Sequence, residues 1–362
     1  MRSVGVEEEL LLVDGESGDA RALSAAILAA ASRDGDGGEV FEAELQRQQL
    51  EFATRPQTVM GDLAEEIRRW RSEAARHAEG LGASVAALAT SPLPVSPSIG
   101  TDERHLWLKE HFGLTAQEQL TCGCHVHVSV ESDEEGVAVL DRMRPWLSVL
   151  LAMSANSPFW QGDDSGYGSY RSQVWGRWPS AGPVEIFGTA DRYLQEVNAM
   201  VGSGVLRDEG MIYFDARLSH SYPTVEVRVA DVCLDASTTV LMAALVRGLV
   251  ETASRQWSDG EPPARHTVGM LRLAGWRAAR SGLEDQLIHP LTMRPAPAEA
   301  VVHALFDHVR DALEDNGDLV LVQESLAELL KTGNGARVQR DVLKRTGSLR
   351  DVVAECVRRT LA

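Results

Sequence analysis

Near the start of the chain, Val4-Gly5-Val6-Glu7-Glu8-Glu9-Leu10-Leu11-Leu12-Val13 sets three consecutive carboxylates inside an otherwise apolar run. The run is rich in β-formers and closes on Asp14-Gly15, a turn signal, so it reads as a strand. Side chains alternate across a strand, which puts Glu7 and Glu9 on one face and Glu8 on the other with Val6, Leu10 and Leu12. Two carboxylates on one face repel unless a cation lies between them. The apolar residues that follow point to burial on both faces, where carboxylates call for a metal ion or paired arginine. A solvated acidic edge strand is the alternative that this segment alone leaves open.

Further along, the chain alternates short strand-like runs with helical blocks. Ala22 to Ser32 reads as a helix, Asp34-Gly35-Asp36-Gly37-Gly38 as a loop, and Phe41 to Thr54 as one or two short strands broken near Gln46-Arg47-Gln48-Gln49. Leu63, Ile67, Trp70 and Ala74 recur at helical spacing and predict a helix from Leu63 to Leu81, followed by a strand over Ala83 to Ala89. Leu120 to Val130 alternates as a strand, and Val137 to Ala155 reads as one long apolar helix. Asn156 to Thr189 has no period and is dense in Gly, Trp, Tyr and Arg, the mark of a binding loop. Met211 to Leu218 and Thr224 to Ala230 read as paired strands, and from about residue 238 the chain is mostly helical. This order favours an α+β architecture with a largely antiparallel sheet. A length of 362 residues admits two or three domains or one large catalytic unit with peripheral helices.

The formal net charge of -18 argues against nucleic acid or an anionic membrane as partner, since both would be repelled. The four cysteines, Cys122, Cys124, Cys233 and Cys356, lack the spacing of a zinc site or a disulfide framework and read as buried small hydrophobes. The N-terminus has no apolar signal core, no window reaches the length of a membrane span, and a cytoplasmic location is expected. No Gly-x-Gly-x-x-Gly or Walker sequence stands at a strand-to-helix turn, so a nucleotide here is not held in the Rossmann or P-loop manner.

Four further groups have chemistry. Glu44 and Glu51 sit between apolar neighbours in strand-like surroundings and can add ligands to the site of Glu7 and Glu9, because hard cations take several oxygens. His125 and His127, at spacing two on an alternating strand, share a face; one can ligate metal while the other donates to a phosphate oxygen. Glu226 and Arg228 share a face opposite Val225, Val227 and Val229, either as a surface ion pair or as a metal carboxylate beside an arginine that meets phosphate, with Arg217 able to join them. The loop from Tyr167 to Pro179 carries Arg171 and Arg177 among aromatics and glycines, and guanidinium grips a small carboxylate with two hydrogen bonds.

Together Gly5-Val6-Glu7-Glu8-Glu9-Leu10, Gln49-Leu50-Glu51-Phe52-Ala53-Thr54, Gly123-Cys124-His125-Val126-His127-Val128, Tyr170-Arg171-Ser172-Gln173-Val174-Trp175 and Pro223-Thr224-Val225-Glu226-Val227-Arg228 resemble the glutamate–cysteine ligase type 2 family, the YbdK-like carboxylate–amine ligases of the glutamine synthetase-like superfamily. Arg277 and Asn334-Gly335-Ala336 fit the same resemblance, which spans nearly the whole chain. It implies one catalytic domain over residues 1–362, glutamine synthetase-like, with a curved, mainly antiparallel sheet flanked by helices. It further implies two or three Mg²⁺ ions, with Mn²⁺ as a substitute, bound by Glu7, Glu9, Glu44, Glu51, His125 and Glu226. ATP would be the co-substrate, with His127, Arg228 and Arg217 on phosphate and Glu226 and Arg228 catalytic. Arg171, Arg177 and Tyr170 would hold the substrate. The implied reaction joins glutamate to cysteine or another amine through an acyl phosphate, in a homodimer. The competing expectations are a γ-glutamyl ligase for a different amine, a non-catalytic metal- or nucleotide-binding homologue, and a hydrolase using two carboxylates, which leaves His125, His127 and Arg228 without a role.

Overall fold

The protein is seen in a computed structural model that describes residues 1–34 and 40–362. The loop expected at Asp34-Gly35-Asp36-Gly37-Gly38 lies outside the described residues from Gly35 onward. Seven strands form the main sheet: β1 (Val4–Asp14), β2 (Phe41–Ala43), β3 (Gln49–Ala53), β4 (Ala83–Ala86), β5 (Gly123–Ser129), β6 (Ala216–Leu218) and β7 (Thr224–Asp231). Their order is β2-β3-β1-β5-β7-β6, with β4 also paired to β1, and all of these pairings are antiparallel. β1 is the spine. β3 pairs along one edge of it, while β5 takes the first half of the other edge and β4 the second half.

The two faces of β1 differ as alternation requires. Glu8 points into the helical layer, where it is fully buried with Arg71 of the helix Met60–Glu79. Arg71 donates from Nε and Nη2 to the two Glu8 oxygens, each at 2.8 Å, and Thr239 of the helix Ala236–Ser258 donates to Glu8 at 2.6 Å. The remaining Arg71 hydrogens go to the carbonyls of Cys233, Leu234 and Thr360. The apolar residues of β1 are buried on both faces, and a contiguous apolar core extends from Val4 to Cys356. All four cysteines are buried and unbridged.

Several expectations need correction. The apolar run Val137 to Ala155 is two helices, Asp133–Met143 and Leu147–Ser154, separated by a 3₁₀ turn at Arg144–Trp146, because Pro145 has no N–H for the helical ladder. β4 stops at Ala86, and β6 begins only at Ala216, since Glu209–Met211 forms a 3₁₀ turn instead of strand. The helix Glu103–Phe112 buries only Leu108, so its sequence has no apolar stripe to reveal it. The helix Ala236–Ser258 is long and apolar enough to cross a membrane, contrary to expectation, but it is mostly buried under the sheet, as a core helix is.

Removing one member of the Arg71–Glu8 pair leaves the other charge buried without a partner. Arg71→Ala should therefore cost about 3–5 kcal/mol in urea unfolding. The double variant Arg71→Met, Glu8→Leu should recover much of that loss, because no isolated charge remains. A loss below about 1 kcal/mol for the single variant would contradict this role.

Candidate active site

Strand register assembles the site on the face of the sheet opposite Glu8. Glu9 lies across from Glu51, Glu7 across from His125, and Glu226 across from both His127 and Arg217. Directly opposed side chains stand about 4.5–5.5 Å apart at Cβ. Residues distant in sequence thus form one polar row, with Glu7, Glu9, Glu51, His125, Arg217 and Arg228 around a single chamber and Glu226 behind it, paired with Arg217 and Arg228. Glu44 joins it from a different place than expected: it lies one residue beyond β2, in the turn to β3.

The row divides into two groups of donors, each with its ligand atoms within 4.8 Å of one another: Glu9, Glu44 and Glu51, and Glu7, His127 and Glu226. Their electrostatics differ. Burial and the neighbouring Glu44 push Glu9 up to about 7, although Gly123 N–H donates to it at 2.8 Å. Burial, then Glu44, Glu7 and Glu9, raise Glu51 well above the usual carboxylate range. Three carboxylates bunched in this way are the chemistry of a hard-cation site. In the second group burial would raise Glu226, but Arg228 and Arg217 hold it well below its ordinary value. Burial acts likewise on Glu7, where hydrogen bonds with His125 and His127 win and lower it. The Glu226 carboxylate already meets Arg228 and, at 2.7 Å, Arg217. The first group is therefore the better cation site.

Both histidines, expected on metal (His125) and on phosphate (His127), face these carboxylates. His127, not His125, completes a donor group, with Nε2 3.2 Å from Glu7. His125 sits between Glu7 at 3.1 Å and Glu9 at 3.8 Å, and its buried Nε2 has no hydrogen-bond partner among the described residues. Burial and Arg228 lower it to about 4, so it is neutral at pH 7.

A bulge sets Arg228. Across β5 and β7, Cys124 pairs with Ala230 and Val126 with Val227, so Arg228 and Val229 together oppose His125. The extra residue keeps Arg228 on the site face and returns Ala230 to the core face. It also takes Val229 out of the alternation expected with Val225 and Val227: Val229 is half-buried and lines a second chamber of about 330 Å³. Arg228 and Trp175 line both chambers. The Trp175 ring is flanked by two guanidinium carbons, Arg171 at 5.6 Å and Arg228 at 5.8 Å.

The binding-loop residues part company. Arg171 is almost fully buried, 3.9 Å from Asp231, and its Nε has no hydrogen-bond partner among the described residues. Its guanidinium passes beneath Gly123, where a Cβ would stand 2.3 Å from Nη2, which gives this glycine a steric reason. Arg177 is exposed at the chamber rim and pairs with Glu118 at 2.5 Å. Tyr170, expected on substrate, instead packs against Trp160 and Tyr167. Arg104 and Tyr213, which the sequence does not single out, complete the carboxylate chamber; Arg104 belongs to the helix without an apolar stripe.

Comparison with known proteins shows the family and the fold. The family model described as glutamate-cysteine ligase family 2 matches residues 3–355. A Streptomyces avermitilis protein provisionally named glutamate–cysteine ligase 2-1 is 65% identical over 360 residues, 99% of each chain. A Streptomyces coelicolor protein, provisionally named glutamate–cysteine ligase 2, is 64% identical over the full length of both. Among solved structures, glutamate–cysteine ligase of Francisella tularensis in complex with AMP aligns at TM-score 0.71 and 12% identity, covering 100% of this chain and 89% of that one. The bifunctional glutathione synthetase of Pasteurella multocida aligns at TM-score 0.72 and 14% identity, over 99% of this chain and 52% of that one. The shared architecture is of the α+β class, an antiparallel sheet flanked by helices.

The raised carboxyl of Glu9 makes a stability test. Its folded value of about 7 lies above that of the unfolded chain, so its contribution is full below about pH 4.3 and is lost as pH rises through about 7. In EDTA the melting temperature should fall between about pH 5 and about pH 8, and Mg²⁺ should restore it at the upper end. Glu51→Gln should flatten the fall and weaken the Mg²⁺ effect. A Mg²⁺ shift that survives Glu51→Gln at full size would remove Glu51 from the cation site.

Proposed function

The chain belongs to glutamate–cysteine ligase family 2 and is a carboxylate–amine ligase, and from that premise we propose that it uses ATP to activate the γ-carboxylate of glutamate and passes the acyl group to an amine. The observation that carries this reading is the shared wall: Arg228 faces a carboxylate-rich chamber on one side and an arginine-bearing chamber on the other. A phosphoryl group moving from ATP to a carboxylate has to cross such a boundary.

Glu9, Glu44 and Glu51 would hold one divalent cation, Mg²⁺ or Mn²⁺, and Glu7, His127 and Glu226 a second. Bound there, the ions supply charge neutralisation for the phosphoryl oxygens, which an acidic protein could not otherwise hold. Arg228 is kept charged by Glu226 despite its burial, and its Nε has no hydrogen-bond partner among the described residues. It is thus aimed at the phosphoryl group in flight. Arg217, anchored on Glu226, supports the nucleotide side. Arg171, which lines the second chamber and whose Nε has no hydrogen-bond partner among the described residues, takes the donor's carboxylate, and Arg177 stands at the entrance.

The chemistry balances in two steps. A γ-carboxylate oxygen bonds to phosphorus as the bond to ADP breaks, giving an acyl phosphate. The amine nitrogen then bonds to the acyl carbon as the carbon–oxygen bond breaks and phosphate leaves. The ammonium gives up two protons, one to the departing phosphate and one to solvent. No protein nucleophile takes part; burial pushes the Cys122 and Cys124 thiols well above their ordinary range, which leaves them protonated. Trp175, Trp178 and Tyr213 line the chamber walls around Arg228 and limit the water that would hydrolyse the intermediate.

A coupled ADP-release assay crossing acyl donors, glutamate first, with amines should give turnover that needs donor, amine and Mg²⁺. Arg228→Ala and Glu9→Gln should each lower kcat by about 10²-fold or more while the protein stays folded. Full activity in either variant would sink its assignment, and product formation without ADP would favour a hydrolytic or non-ATP reaction.

A further inference from the structure

Asp215 is a carboxylate whose side chain has no hydrogen-bond or ion-pair partner among the described residues. It stands just before β6, where its N–H donates to the Gly182 carbonyl at 3.0 Å and its own carbonyl accepts from Arg228 N–H at 2.9 Å. The backbone is therefore fixed beside the arginine of the transfer site. Its side chain is the one acid among the described residues that line the second chamber, whose walls mix apolar side chains such as Leu147 and Phe214 with arginines, and no hydrogen bond or ion pair reaches it among the described residues. A carboxylate drawn out of water is costly unless a donor or a cation meets it.

Arg272 lines the same chamber and draws on Asp215 electrostatically, without closing an ion pair to it among the described residues. Its Nη2 comes within 3.7 Å of the point where a Cβ on Gly182 would stand. Gly182, at φ +113°, thus keeps a bare Cα between the backbone that holds Asp215 and the guanidinium of Arg272. An acid and a base that face one chamber and do not meet are complementary to a ligand carrying both charges. We propose that Asp215 and Arg272 seat the amine acceptor, and that the acceptor is an amino acid, with its ammonium on Asp215 and its carboxylate on Arg272. The assignment rests on the ligase reading above and adds the acceptor's chemical class to it. Burial pushes Asp215 up to about 7, so an ammonium beside it would also hold it ionised. The neighbouring Arg228 places that amine next to the acyl group it attacks.

The test is a comparison of acceptor KM and kcat in the ADP-release assay for wild type, Asp215→Asn, Asp215→Glu and Arg272→Gln. Each accepted amino acid, cysteine first, is paired with its decarboxylated amine, cysteamine in that case. Asp215→Asn should raise the acceptor KM about 10-fold or more, by a larger factor than the KM for ATP, with partial recovery in Asp215→Glu. Arg272→Gln should raise the KM for the amino acid about 10-fold and that for its decarboxylated amine less than about 2-fold, erasing the preference between them. Arg272 is exposed, so this variant decides the matter even if Asp215→Asn does not fold. A wild type that uses the decarboxylated amine as well as the amino acid would overturn the proposal, as would acceptor KM values within about 2-fold of wild type in both variants; either result spares the ligase reading. Absence of ADP release with any amine would sink the ligase reading and this seat with it.

Discussion

The buried pair of Glu8 with Arg71 is the contact on which the site depends. It is bidentate, carries additional bonds from Thr239 and to three carbonyls, and has no exposure to solvent. A strand that slips by one residue exchanges its faces. Such a slip in β1 would carry Glu7 and Glu9 into the helical layer and bring Glu8 to the chamber. An Arg71 that accepts only one carboxylate geometry forbids that register. The catalytic face is therefore held from behind, by an interaction that never meets a substrate.

On the other face, the electrostatics are left incomplete by design of the fold. Glu226 is satisfied by Arg228 and Arg217, whereas Glu9, Glu44 and Glu51 crowd one another with few cations near. The uncompensated group invites a divalent ion, and the compensated one holds an arginine charged deep in the protein. On the proposed reading, ions between these carboxylates and the phosphates would let a chain of net charge -18 hold an anionic nucleotide.

Much of this was legible in the residues. Parity alone separates Glu8 from Glu7 and Glu9, puts His125 and His127 on one face, and aligns Glu226 with Arg228, because each statement concerns neighbours on one strand. What escaped has a local reason in each case. Pro145 interrupts a run whose apolar residues conceal the break. The helix Glu103–Phe112 buries a single side chain, so its period is silent, and Arg104 is hidden with it. Tyr170 sits within the right motif yet turns to Trp160 and Tyr167, which only packing could decide.

The sequence by itself determined the reaction class and the inventory of charged groups, since residue type and strand alternation are properties of short segments. Tertiary structure decided which groups act together. The grouping of His127 with Glu7 and Glu226, the entry of Glu44 from a turn, and the bulge that holds Arg228 and Val229 opposite His125 all arise where strands from distant parts of the chain meet. The bond of Asp215 N–H to the Gly182 carbonyl and the approach of Arg272 to Gly182 belong to the same class. Such encounters are set by register and by close packing between segments, and alternation within one segment contains no information about either.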